Sequence, residues 1–261
     1  MNQSKLVQIS VPNDIAVKIA LSLQVSDVCS LGSCSRYWRE LCGSDCLWAA
    51  LYRDRWLTHA LNREEEPSSS EINAHEFDQV FDSTSKVWRG FYINKHNEMA
   101  GKAASIVDFV EQSLSSESIK VGHYLTAIEN LRSMQFGFKD IQMFFLKPKL
   151  NVLLNLIGVH YCISWLGVSA ECVMEALRSY KISERQVCVQ WWKIGRWLYG
   201  FRLRDESHSR NVSLGDLTMA KEEEVLAVIN RGAIYEVLCI KISAAKPTST
   251  SWSYQNGQTL D

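Results

Sequence analysis

A chain of 261 residues can hold one sizeable core, or a small module beside a domain of ordinary size. Its 46% apolar content is that of a globular protein, and nine tryptophans point to aromatic-rich packing. A net charge of −1 supplies no global field that would draw it to nucleic acid or to an anionic membrane.

Between Val11 and Trp56 the spacing predicts three or four short helices. Pro12 presets a helical φ and has no N–H to leave orphaned, and Asn13 or Asp14 can cap the helix that follows. Ile15, Ile19 and Leu23, with Ala16 and Ala20, form its apolar stripe. Ser26 and Asp27 offer a cap ahead of Val28 and Leu31, and Ser33 or Ser35 one ahead of Tyr37, Trp38 and Leu41. Ser44 and Asp45 open a fourth helix with Leu47, Trp48, Leu51, Tyr52 and Trp56. Helices this short need a partner or the rest of the chain to pack on, because nucleation is costly.

The same residues carry a resemblance. Val11-Pro12, then Ile15 and Ile19, Asp27-Val28 with Leu31, Cys34, Arg36 and Trp38, and finally Leu47-Trp48 fall in one register. In that register the segment resembles an F-box, with Val standing for the usual Leu before Pro12. The resemblance covers under a fifth of the chain. It implies docking on a Skp-type adaptor, and through it on cullin and RING subunits, with Pro12, Ile15, Ile19, Leu23, Val28, Leu31 and Trp48 as adaptor contacts. Cys34, Trp38, Leu41 and Leu47 are expected in the segment's own core. Some adaptor candidates could serve that core instead, and sequence does not partition the two sets.

A compositional break follows. From Asn62 to Lys86 the chain is acidic, with Pro67 and Ser68-Ser69-Ser70 inside, so residues 62–84 read as a flexible linker. Phe77, Val80 and Phe81 could form one helical turn at its end. Beyond it, Val87, Trp88, Phe91, Tyr92, Met99, Ala103, Ile106 and Val110 trace a long helical stripe. Tyr124, Leu125, Ile128 and Leu131 give a second helix, and Ile141, Phe144 and Phe145 a third that stops at Lys147-Pro148. The run from Leu150 to Leu166 is the most apolar, but Asn151, Asn155, His160 and Ser164 argue for a buried core helix over a membrane span. Ser169 can cap a helix bearing Val173, Leu177 and Tyr180.

Ser183 followed three residues later by Gln186 has the form of a capping box. The predicted helix carries Val187, Trp191, Ile194 and Leu198 on one stripe and Cys188, Trp192 and Tyr199 on a neighbouring one. Phe201 to Arg204 alternates like a half-exposed strand, Glu222 to Ile229 is helical with a stop at Gly232, and Ile234 to Ile242 is rich in strand formers. These two strands could pair. The tail from Ala244, rich in Ser and Thr, reads as disordered.

Chemistry finds few footholds. Cys29, Cys34, Cys42 and Cys46 are separated by four, seven and three residues, unlike zinc knuckles, so no metal is expected. His160 and Cys162 are two apart on a helix and cannot pair locally. No phosphate loop, hydrolase elbow, cofactor motif or internal repeat occurs. Trp191, Trp192 and Trp197 beside Arg185, Lys193, Arg196, Arg202 and Arg204 could stack nucleic-acid bases. Long basic side chains over an aromatic core explain the cluster as well, so no nucleic-acid partner is expected. The same surface could hold cargo, which the sequence neither supports nor refuses. Eight cysteines in no regular framework, with no signal-peptide layout at the N-terminus, suggest reduced thiols in the cytoplasm or nucleus.

The expected fold is mainly α. An F-box of short helices at 10–57 and the 62–84 linker precede a helical domain at 85–243, expected to bind substrate, with a possible two-stranded antiparallel element near the C-terminus and a disordered 244–261 tail. The expected role is a non-catalytic substrate receptor of an SCF-type ubiquitin ligase, presenting an unidentified protein, with no cofactor and no membrane partner. Two other classes stay open: an F-box scaffold that acts without ubiquitination, and a cysteine-dependent enzyme.

Overall fold

The structure, a computed structural model, describes residues 11–57, 87–230 and 237–245. The predicted 62–84 linker, the turn at Phe77, Val80 and Phe81, the stop at Gly232 and the tail beyond 245 lie outside the described residues. Contacts divide the chain after Lys102 into two compact units.

In the first unit, four short helices follow one another: α1 (Asn13–Ser22), α2 (Val25–Leu31), α3 (Arg36–Cys42) and α4 (Asp45–Tyr52), the last running into a π turn at Arg53–Leu57. The unit also holds the start of α5 (Val87–Ser113). The caps differ in part from those expected. Ser35 accepts from Trp38 N at 3.3 Å, as predicted. By contrast, Pro12 itself is the N-cap of α1, and α2 starts at Val25 behind Gln24, so Ser26 and Asp27 sit inside the helix rather than before it.

The second unit is helical, with a four-stranded antiparallel sheet and a separate two-stranded one. The rest of α5 leads through the short β1 (Ser118–Lys120) to α6 (Val121–Ser133), α7 (Phe138–Phe144), α8 (Val152–Ser164) and α9 (Ala170–Ser179). Then come β2 (Gln186–Lys193), β3 (Trp197–Leu198), β4 (Phe201–Arg202), β5 (Glu206–Ser213), α10 (Leu214–Thr218), α11 (Glu223–Ile229) and β6 (Val237–Ala244). The buried helix expected in the 150–166 run is α8, in which every residue from Val152 to Cys162 is buried. It packs on α6, α7, α9 and α10 and against β2 and β6. No described helix is long and apolar enough to cross a membrane.

The capping-box helix from Ser183 does not form, and β2 occupies its place. Val187, Val189 and Trp191 point inward in alternation. A spacing of four residues is one helical turn but also two strand periods, so Val187 and Trp191 fit both patterns. Partners on both sides decide between them: β2 pairs with β5 from Gln186↔Ser213 to Lys193↔Glu206, and with β6 through Trp191↔Ile240. The sheet runs β1-β6-β2-β5. The two-stranded antiparallel element is present as β3–β4. Its members differ from the expected pair, because Phe201–Arg202 joins Trp197–Leu198 while the strand-rich C-terminal run joins the larger sheet.

Candidate functional site

The first unit sorts its apolar residues between a core and a surface. Ala20, Val28, Cys42, Leu47, Trp48, Ala49 and Leu51 form a buried cluster that Trp88 and Tyr92 of α5 complete, and Ala16 is buried as well. Trp48 anchors it by donating Nε1–H to Cys42 O at 2.8 Å while its ring meets Tyr92 edge-on at 5.3 Å. Arg55, 3% exposed, lies over the Trp56 ring at 4.5 Å and donates to Tyr92 Oη at 2.8 Å. A buried guanidinium is tolerated because rings and a hydroxyl replace its water.

Two polar straps fix the helices. Tyr37 Oη donates to Val11 O at 2.8 Å and lies 3.0 Å from Asn13 Oδ1, so α3 holds the start of α1 in place. Asp45 was expected to help open α4. Its carboxylate instead accepts from Val87 N at 3.3 Å and Trp88 N at 2.9 Å, capping the positive end of α5. Neither strap has a signal in local spacing, since each joins residues more than twenty positions apart.

The adaptor candidates separate under this geometry. Pro12, Ile15 and Ile19 are exposed along α1, with Ile15 at 47% and Ile19 at 41%, one helical turn apart. Ala16 and Ala20 face the core from the same helix, and their small side chains let it pack closely. Leu23 and Leu31 are half-buried beside the cluster. Val28 and Trp48, named with the adaptor contacts from sequence, are core residues instead, at 0% and 2% exposure. Of the residues assigned to the core, Leu47 is buried, Trp38 and Leu41 are half-buried against it, and Cys34 is exposed. Cys34 falls outside because α3 begins only at Arg36, behind its Ser35 cap. The surface left over is an apolar ridge, Pro12–Ile15–Ile19, suited to protein contact and to no covalent chemistry.

Neither of the buried thiols, Cys42 and Cys162, is an activated nucleophile. Burial, reinforced by nearby Cys29 and Cys34, pushes the Cys42 thiol up, and burial pushes Cys162 far up. A thiol held protonated is a poor nucleophile. Among the described residues, no group of three His, Cys, Asp or Glu side chains could hold a metal ion.

No curated protein and no solved structure matches the chain. A family model does: the one described as F-box-like matches residues 9–54, which hold the four helices, the Tyr37 strap and the exposed ridge. Residues 9–54 of this chain are therefore an F-box-like domain.

Proposed function

We propose that the protein is the substrate receptor of an SCF-type ubiquitin ligase. The exposed ridge of Pro12, Ile15 and Ile19 docks on a Skp-type adaptor, which links it to cullin and RING subunits. The observation that carries this reading is the ridge itself: two isoleucines one turn apart stay in water on a helix whose other face is buried. Large apolar side chains grouped on one surface mark interaction sites. Catalysis is then by proximity, the charged conjugating enzyme being held near a lysine of the cargo, with no chemistry from this chain. All eight cysteines are free thiols, which supports a place of action in the cytoplasm or nucleus.

The test is reconstitution. Full-length protein is mixed with a Skp-type adaptor, cullin and RING subunit, and the complex is isolated by size exclusion. The expected outcome is one complex holding all four chains and lost when Ile15 and Ile19 are changed. An adaptor complex that never recruits cullin would instead establish the scaffold reading, and no adaptor complex at all would end both.

A further inference from the structure

Beyond β2 the sheet carries an arm. The chain leaves β2 at Lys193, pairs Trp197 with Arg202 and Leu198 with Phe201, and returns into β5 at Glu206. Tyr199 and Gly200 turn its tip with φ of 50° and 85°, the two positive values that a two-residue type I′ hairpin needs. The root is pinned. Leu203 N donates to Arg196 O at 2.9 Å, and the Asp205 carboxylate accepts from Gly195 N at 2.8 Å and from Arg202 at 2.9 Å. A Cβ on Gly195 would stand 1.9 Å from Leu203 O, so the backbones meet there more closely than any other residue allows.

This ordered arm holds its large side chains in water. Trp197 is 71% exposed, Tyr199 99% and Phe201 78%, with Leu198 and Leu203 at 50% each. Cross-strand partners lie on one side, so Trp197 and Arg202 share one face while Leu198 and Phe201 share the other. Trp, Tyr and Arg on a pre-set backbone are the composition of binding hot spots, and pre-setting lowers the ordering cost of association.

Charge selects the occupant. No acidic residue lies between Lys193 and Arg204. Of the four cations there, Lys193 is paired with Glu224 at 3.3 Å, Arg202 with Asp205 at 2.9 Å, and Arg196 is engaged as well. Arg204 has neither ion pair nor hydrogen bond among the described residues. So few available cations do not make a polybasic lipid site, which takes about four to eight, or a phosphate-tracking groove. What fits is a carboxylate set among large apolar side chains.

We propose that this arm is where the protein grips its cargo, through an exposed peptide segment in which an Asp or Glu is flanked by large apolar residues. The proposal rests on the receptor reading above, and its test keeps the two apart. Full-length protein with its adaptor is titrated into three fluorescent peptide pools and followed by anisotropy. One pool has a fixed carboxylate between Phe, Leu or Trp; one replaces the carboxylate by Lys; one replaces the apolar residues by Ser. The first pool binds best, and Trp197→Ala with Phe201→Ala weakens it at least about tenfold. Arg204→Glu shifts preference to the Lys pool, and it decides the matter alone if the double variant fails to fold. Equal binding of the three pools, indifference to the arm variants, or tighter arm-dependent binding of oligothymidylate or phosphatidylserine vesicles would overturn the proposal. Adaptor capture stays unchanged in the arm variants. Its failure in the unaltered protein would sink the receptor reading while leaving peptide binding standing.

Discussion

Changing Ile15 and Ile19 together to Ala isolates what the exposed ridge contributes. Each substitution removes three carbons, and full burial of three carbons is worth about 2.4 kcal/mol. The share still in water, 47% for Ile15 and 41% for Ile19, is what an adaptor can cover. That gives about 1 kcal/mol from each, about 2 kcal/mol together, or a dissociation constant raised about 30-fold. The remaining share is already buried within the fold, so the variant also melts lower. Val28→Ala supplies the contrast: at 0% exposure it costs fold stability, including the cavity it leaves, but touches no adaptor surface. Isothermal titration with a Skp-type adaptor, well below both melting points, reads the affinities, and circular dichroism reads the melts. The ridge variant loses affinity and the core variant keeps it. A ridge variant binding within about threefold of the unaltered protein, or equal losses in both, would refute the partition into ridge and core.

The second unit allows two sharper tests. Asn155 is fully buried, donates to Phe145 O at 2.6 Å and Lys147 O at 3.1 Å, and accepts from Arg185. Asn155→Leu orphans these partners and is expected to cost about 3 kcal/mol, within the range for several unpaired buried groups; an unchanged urea midpoint would show that the hub contributes nothing. His160 Nε2 meets Asn230 Oδ1, which can only accept, so the ring proton belongs on Nε2 and Nδ1 is left to accept from the Tyr124 hydroxyl at 2.7 Å. Burial holds the His160 pKa below its ordinary value. The unfolded chain therefore takes up a proton first as pH falls, and the His160 contribution, full above about 6.5, declines below it. Melting temperature should drop between neutral and mildly acidic pH, and drop less steeply in His160→Gln. Parallel profiles for the two proteins would place the acid sensitivity elsewhere.

The first unit was legible because its information is local. One register of Pro, Ile, Leu and Trp marked three or four helices, and the stripe on α1 already held both the ridge and its buried face. Which members face outward was not legible. Helical spacing places Trp48 on an apolar face without saying whether the protein or a partner covers that face. The answer comes from Trp88 and Tyr92, which reach the cluster from α5, far along the chain. Asp45 shows the same limit: as a residue ahead of a helix it reads as a local cap, yet the helix it caps begins at Val87. A carboxylate's partner is chosen by the fold, and only the type of partner, an orphan N–H at a helix start, can be read beforehand.

In the second unit one ambiguity concealed the most exposed large apolar side chains among the described residues. Reading Ser183 to Tyr199 as a helix put Trp191 and Leu198 on one buried stripe. As a strand and an arm, they part: Trp191 is 1% exposed in the sheet and Leu198 50% exposed beyond it. A signal that could have separated them is Tyr199-Gly200, two residues between short runs of large side chains, the length of a tight hairpin loop. Gly195 is a second, since a glycine inside a predicted helix costs about 1 kcal/mol relative to alanine and asks for a reason. Here the reason is the close passage of Leu203 O. The cap signal at Ser183 is real chemistry in the wrong context: its hydroxyl meets the adjacent Glu184 carboxylate at 3.2 Å, and the chain turns there into a strand. A start signal and a four-residue spacing cannot choose a helix when Val187, Val189, Trp191 and Trp192 are all strand formers and a strand waits on each side.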